Sequence, residues 1–164
     1  MKVVFTIAFA VALSGAAAQE LQMDSVSKKW MYQGVIKADS AAADALWSRA
    51  RQWVATSYRD SKDHVQYENK EEGKIVVNGR WAKIAGVQAG DAYLHTLTLE
   101  TKAGRLRYTF TDLVVEHNSG MFAGSLEYME NTAIKKNRKR FADRCAAAAA
   151  ELKRVLLVAD SSEW

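Results

Sequence analysis

The chain has 164 residues, 49% of them hydrophobic, which suits a globular protein able to bury a full core. A formal net charge of +4 is too mild to mark a nucleic-acid binder. The single cysteine, Cys145, excludes an internal disulfide framework.

The first eighteen residues read as a secretory signal peptide. Lys2 gives a positive start, residues 3–13 form an apolar run, and Ala16-Ala17-Ala18 gives a small-residue cleavage site before Gln19. The run is shorter than the roughly 20 residues that span a bilayer. Cleavage would leave 146 of the 164 residues, one ordinary domain, with the charge lowered to +3 by loss of Lys2. No cysteine follows the apolar run to take a lipid, and no second long apolar run appears, so a transmembrane segment is not expected in the mature chain. The expected location is therefore the periplasm or the extracellular space, with the lack of disulfides favouring a bacterial envelope.

Residues 19–29 are polar and read as a flexible lead-in to a single domain over 30–160. Trp30, Tyr32 and Ile36 alternate with polar or small neighbours, which predicts a strand over 30–37. Asp39-Ser40 offers a helix N-cap, and Leu46, Trp47, Ala50, Trp53, Val54 and Ser57 form a stripe that predicts a helix over 41–58. A short strand over 64–69 turns at Glu71-Glu72-Gly73 into one marked by Ile75, Val77 and Trp81. A glycine-rich loop over 85–91 precedes a hairpin, 92–102 with 105–116, around Ala103-Gly104. A loop over 118–124 leads to a long helix over 130–158.

The expected architecture is α+β: a single antiparallel sheet of about five strands, in the order β-α-β-β-β-β-α, with both helices on one face. Pairing Lys102 with Arg105 puts Tyr93, Leu97, Leu99, Leu106, Tyr108, Phe110 and Val114 on one face, as core. The other face pairs Glu100 with Arg107, Thr98 with Thr109 and Thr96 with Thr111, as solvated cross-strand neighbours.

The order of elements, the Tyr32-Gln33-Gly34-Val35 strand, the helix with Trp47 and Trp53, the Gly73-Lys74-Ile75 strand opening and the Tyr108-Thr109-Phe110 strand carry a resemblance. Together they resemble an exported bacterial family of domains of unknown function with a TATA-binding-protein-like (TBP-like) fold. The resemblance covers most of the mature chain and implies that fold. It brings no established activity and no catalytic residues, and the fold name does not import DNA binding.

Three groups of residues are candidates for chemistry. The unbroken register sets His95 opposite Asp112 on the core face, where the helix stripe also places Cys145, so a Cys–His–Asp constellation is one candidate. The competing reading is a structural hydrogen bond and an inert buried thiol. Trp47, Trp53, Trp81 and Tyr93 are candidates to line an apolar ligand groove between helix and sheet, against plain core packing. Lys135, Lys136, Arg138, Lys139 and Arg140 are candidates to bind an anionic partner. On the helical wheel these charges fan over a face opposite Ile134, Phe141, Cys145, Ala148, Leu152 and Leu156, which reads as a solvated surface.

His64, His95 and His117 lack metal-ligand spacing, so no metal site is expected, and no cofactor motif is present. The leading expectation is a non-enzymatic exported domain that binds a small apolar ligand or an envelope protein. A hydrolase or transferase built on Cys145, His95 and Asp112 is the alternative, and anion recognition through residues 135–140 is the third reading. Nucleic acid is not an expected partner, because no aromatic side chains interleave the basic run.

Overall fold

A computed structural model describes residues 20–58, 64–82, 91–118, 120–130 and 135–157. The expected signal peptide and most of the glycine-rich loop lie outside these residues. Among these residues seven strands and two α-helices follow one another as β1 (Gln22–Met23), β2 (Trp30–Lys37), α1 (Ala43–Ser57), β3 (Val65–Asn69), β4 (Lys74–Ala82), β5 (Ala92–Lys102), β6 (Arg105–Glu116), β7 (Leu126–Tyr128) and α2 (Lys135–Leu157). All strands pair antiparallel in the order β1-β2-β6-β5-β4-β3, and β7 also pairs with β6.

The fold is therefore α+β with the five expected strands present and two short ones added. β1 and β7 have only two and three residues, too few for an alternating pattern to show. The long helix expected from residue 130 is described from Lys135, and Glu130 itself lies in a turn with Met129.

Alternation in the strands and the helical stripe meet in one core. Tyr32 and Ile36 from β2, Ile75 and Val77 from β4, Leu97 and Leu99 from β5, and Leu106, Tyr108 and Phe110 from β6 are all buried. Leu46, Ala50, Trp53 and Val54 of α1 and Phe141, Cys145, Leu152 and Leu156 of α2 cover the same side. Each large apolar side chain so buried contributes about 1.5–3 kcal/mol by leaving water. The guanidinium of Arg49 on α1 donates to the Leu156 carbonyl at 2.9 Å, tying α1 to the last turn of α2.

α1 does not use Asp39-Ser40 as its cap. The N-cap is Ala42, with no side-chain cap bond. Backbone contacts to the β5–β6 turn take over: Ala38 N–H donates to Gly104 O at 2.8 Å, and Gly104 N–H donates to Ala41 O at 2.9 Å. Gly104 has φ 74, a conformation that costs glycine little. The hairpin turn thus docks on the β2–α1 connection and fixes where α1 begins.

The hairpin register holds from Lys102↔Arg105 to Thr96↔Thr111 and then shifts by one residue. Beyond the shift Leu94 faces Val114, Tyr93 faces Val115 and Ala92 faces Glu116. Asp112 is the extra residue of a β-bulge, with φ 51. Asp is among the few side chains that tolerate this left-handed region. The shift turns Leu113 and Val115 into the core and sends Val114 to the opposite face, against the expectation of one unbroken core face.

Candidate functional site

The bulge also separates the candidate catalytic residues. His95 is 3% exposed and points into the core, across from Gly79 on β4. Its ring lies against Trp81, with centroids 3.7 Å apart, and its Nε2 shares a 2.9 Å hydrogen bond with the Tyr58 hydroxyl. Burial pushes its pKa down to about 3, partly offset by the Tyr93 backbone and reinforced by Arg144. A neutral imidazole enclosed in the core, with its Nε2 engaged by a buried phenol, is shut off from a substrate.

Asp112 sits on the other side of the sheet. Its carboxylate pairs with Lys29 and accepts from the Thr111 hydroxyl at 3.3 Å. Burial works against its ionisation, yet Lys29 and the Thr96 and Thr111 hydroxyls hold its pKa below the usual carboxylate value. The expectation that His95 faces Asp112 is thus corrected, because one inserted residue reverses which side of β6 faces the core. Cys145 is fully buried, and burial pushes its thiol pKa up. A protonated, enclosed thiol is a poor nucleophile. These three residues do not assemble a catalytic constellation.

The candidate groove residues pack as core. Trp53, Trp81 and Tyr93 are at most 8% exposed, and Trp47 packs partly buried against the same core. Trp53 meets Tyr58 edge-on at 6.0 Å, Trp81 lies 5.6 Å from Phe110, and Tyr93 meets Phe141 edge-on at 4.4 Å. The rings of Trp53, Trp81 and Tyr93 therefore already have an aromatic neighbour at a favourable distance.

The basic run is divided among separate contacts. Lys135 and Lys136 open α2, but their side chains lie outside the described set. Arg138 stacks over Trp30 at 4.9 Å, and Lys139 pairs with Asp143 at 2.7 Å. Arg140 interacts with the Tyr93 hydroxyl, which also donates to Asn137 at 3.2 Å. Phe141, Cys145, Ala148, Leu152 and Leu156 are buried as the helical stripe predicts.

The helices cover one side of the sheet, so the other side presents its own row of side chains. Gln33, Val35 and Lys37 of β2 lie beside Thr109, Arg107 and Arg105 of β6, and beyond them come Thr98, Glu100 and Lys102 of β5 and Val76 and Lys74 of β4. At one end of this open face Val35, Glu100, Lys102, Arg105 and Arg107 line a cleft of about 300 Å³. Past the bulge the same face carries Leu94, Val114 and the half-exposed Tyr128, aligned across three strands. Between the two ends runs a polar row of Asp112, Thr111, Thr96 and Asn78, the last two joined at 3.4 Å.

A second polar cluster closes the far end of the hairpin. His117 Nδ1 lies 3.1 Å from Asp91, its Nε2 lies 3.3 Å from Glu127, and Asn118 N–H donates to Asp91 at 3.1 Å. The hairpin pattern brings residues 91 and 117 to one end, which was the signal available for this pair. Glu127 arrives on β7, which no pattern announced. Val35 likewise reaches the cleft only because β2 pairs with β6, a long-range choice that the hairpin does not contain.

Residues 32–116 match the model of the family described as a domain of unknown function (DUF4468) with TBP-like fold. A solved TBP-like protein from Parabacteroides distasonis ATCC 8503 superposes with a TM-score of 0.69 at 13% identity, over 88% of this chain and 100% of that one. A DUF4468 family protein from Bacteroides ovatus ATCC 8483 superposes with a TM-score of 0.62 at 13% identity, over 91% of this chain and 95% of that one. At such identities the likeness shows the fold. No curated protein is similar at a significant level.

Proposed function

The chain belongs to the DUF4468 family of TBP-like domains of unknown function, and from that premise we propose that it is an exported, non-enzymatic binding module of the bacterial envelope. Its binding surface is the open face of the sheet, which receives a ligand or an envelope protein. The observation that carries this reading is the cleft of about 300 Å³ at Val35, Glu100, Lys102, Arg105 and Arg107 on the side the helices leave free. That volume is at the small end of ligand pockets, which run from roughly 300 to 1,000 Å³. Burial of His95 and Cys145 and the outward turn of Asp112 support a binding role over a catalytic one. Among the described residues no helix is long and apolar enough to cross a membrane.

Native mass spectrometry of the protein purified from its own envelope tests the proposal. Thr98 sits mid-face, paired with Val76 and Thr109. Thr98→Trp should crowd the open face without entering the core, and should strip the bound mass or second polypeptide carried by the wild type. Lys139→Glu, on the outer side of α2, should keep it. Equal retention by Thr98→Trp overturns the proposal, as does a wild-type chain that carries nothing.

A further inference from the structure

The cleft lies beside an arrangement that a soluble sheet ordinarily avoids. Lys37 of β2 is the register partner of Arg105 of β6, which is in turn the partner of Lys102 of β5. Three cations therefore stand in one row across three neighbouring strands, about 5 Å apart at the backbone. Like charges placed directly opposite each other destabilise a sheet. Among the described residues none of the three has an ion pair, and the one carboxylate lining the cleft, Glu100, is already held by Arg107 at 2.6 Å. Lys74, the partner of Glu100 on β4, adds a further cation on the same face.

We infer that this row is a binding site for a small, multiply charged oxyanion, phosphate or carboxylate, carried on a compact organic molecule. The inference rests on the open face being the binding surface and names what its basic end accepts. Arg105 offers a planar donor fork suited to two oxygens, while Lys37 and Lys102 offer compact charges on either side of it. Val35, 55% exposed in the cleft, gives the carbon skeleton an apolar contact. The charge does not continue along the sheet. Asp112 and Glu116 lie toward the other end of the hairpin, and Glu116 already pairs with Arg80 at 2.9 Å. A compact anion therefore fits this surface better than a long polyanion that must track a continuous groove.

Amide NMR titration of the full chain with pyrophosphate, and separately with citrate, tests the inference. Shifts should concentrate at Val35, Lys37, Lys102 and Arg105, and affinity should fall as ionic strength rises. The single substitution Arg105→Glu should weaken binding at least tenfold. It sets opposite charges beside one another across Lys37, residue 105 and Lys102, so it should melt no lower than wild type, which separates lost binding from lost folding. Lys139→Glu should bind as wild type. Sedimentation with phosphatidylglycerol vesicles but not phosphatidylcholine vesicles would locate the oxyanion on a lipid head group. Binding of pyrophosphate with no such sedimentation would locate it in solution, and either result supports the site. Shifts centred on residues 135–140, binding indifferent to charge reversal, or no response to either anion would overturn it. If that failure came while Thr98→Trp still stripped the native cargo, the open face would stand as the binding surface and only its anion preference would fall.

Discussion

Replacing Gly79 by alanine pushes a methyl group into space that two buried rings already fill. A Cβ there would lie 2.2 Å from His95 Nε2 and 2.5 Å from Tyr58 Cε1. Neither ring has a flexible far end to swing aside, since His95 lies against Trp81 and Tyr58 against Trp53. Overpacking of this kind costs about 1–3 kcal/mol. Breaking the Tyr58–His95 bond adds about 1–3 kcal/mol, because its partners are left buried and unsatisfied. Removing a strand glycine returns about 0.5–1 kcal/mol. The net expectation is a loss of about 1–5 kcal/mol, centred on about 3 kcal/mol, which is a fall in Tm of about 10 °C for a domain of this size. Urea and thermal unfolding followed by tryptophan fluorescence and circular dichroism measure it. In a His95→Ala background the contact with the imidazole is gone and only the one with Tyr58 remains, so the two substitutions should couple by at least about 1 kcal/mol. A Gly79→Ala protein as stable as wild type would refute the packing account, and simple additivity with His95→Ala would refute its assignment to His95.

The buried imidazole also sets a pH dependence. The His95 pKa is depressed from 6.5 to about 3, so the unfolded chain binds the extra proton between these values. Its stability contribution is present above the unfolded value and is lost as pH falls toward 3, at up to about 1.4 kcal/mol per pH unit. His95→Gln should flatten the urea-derived stability profile between pH 6 and 4, and identical slopes in the two proteins would contradict the burial argument. Cys145, buried with its thiol pKa raised, should resist iodoacetamide in the folded protein and react freely once urea unfolds it. Rapid labelling of the native thiol would reopen a reactive role. At the bulge, Asp112→Asn should keep the left-handed backbone and lose chiefly the exposed Lys29 pair, worth about 0–1 kcal/mol. Asp112→Val should cost at least about 1–2 kcal/mol more in the same denaturation assay, since a branched side chain does not accept φ near 50°. Equal stabilities would mean that the backbone there is not constrained by its neighbours.

Much of the fold was legible because local patterns carry it. Two-residue alternation marked β2, β4, β5 and β6, the helical stripe marked α1 and α2, and Ala103-Gly104 fixed the hairpin turn. The candidate sites were less legible, since each depended on a contact between segments distant in sequence. The His95–Asp112 pairing was a fair deduction from an unbroken ladder and failed on one inserted residue. Nothing local in Thr111-Asp112-Leu113 announces a bulge, which forms where β6 leaves β2 and takes up β7 along the same edge. The cation row was hidden for a related reason. Lys102 and Arg105 flank a turn, where charges are ordinary, and only the pairing of β2 with β6 sets Lys37 beside them.

The sequence by itself determined the fold class, the hairpin and its solvated threonine face, and the buried stripes of both helices. Each follows from the burial of apolar side chains at fixed periods along the chain. Tertiary structure alone decided where the hairpin slips register, which side of the sheet Asp112 faces, and that Tyr58 bonds His95 Nε2. It also decided which cations face one another across β2, β6 and β5. These outcomes turn on strand neighbours and on the room a glycine leaves, quantities set by the whole sheet and not by any segment of it.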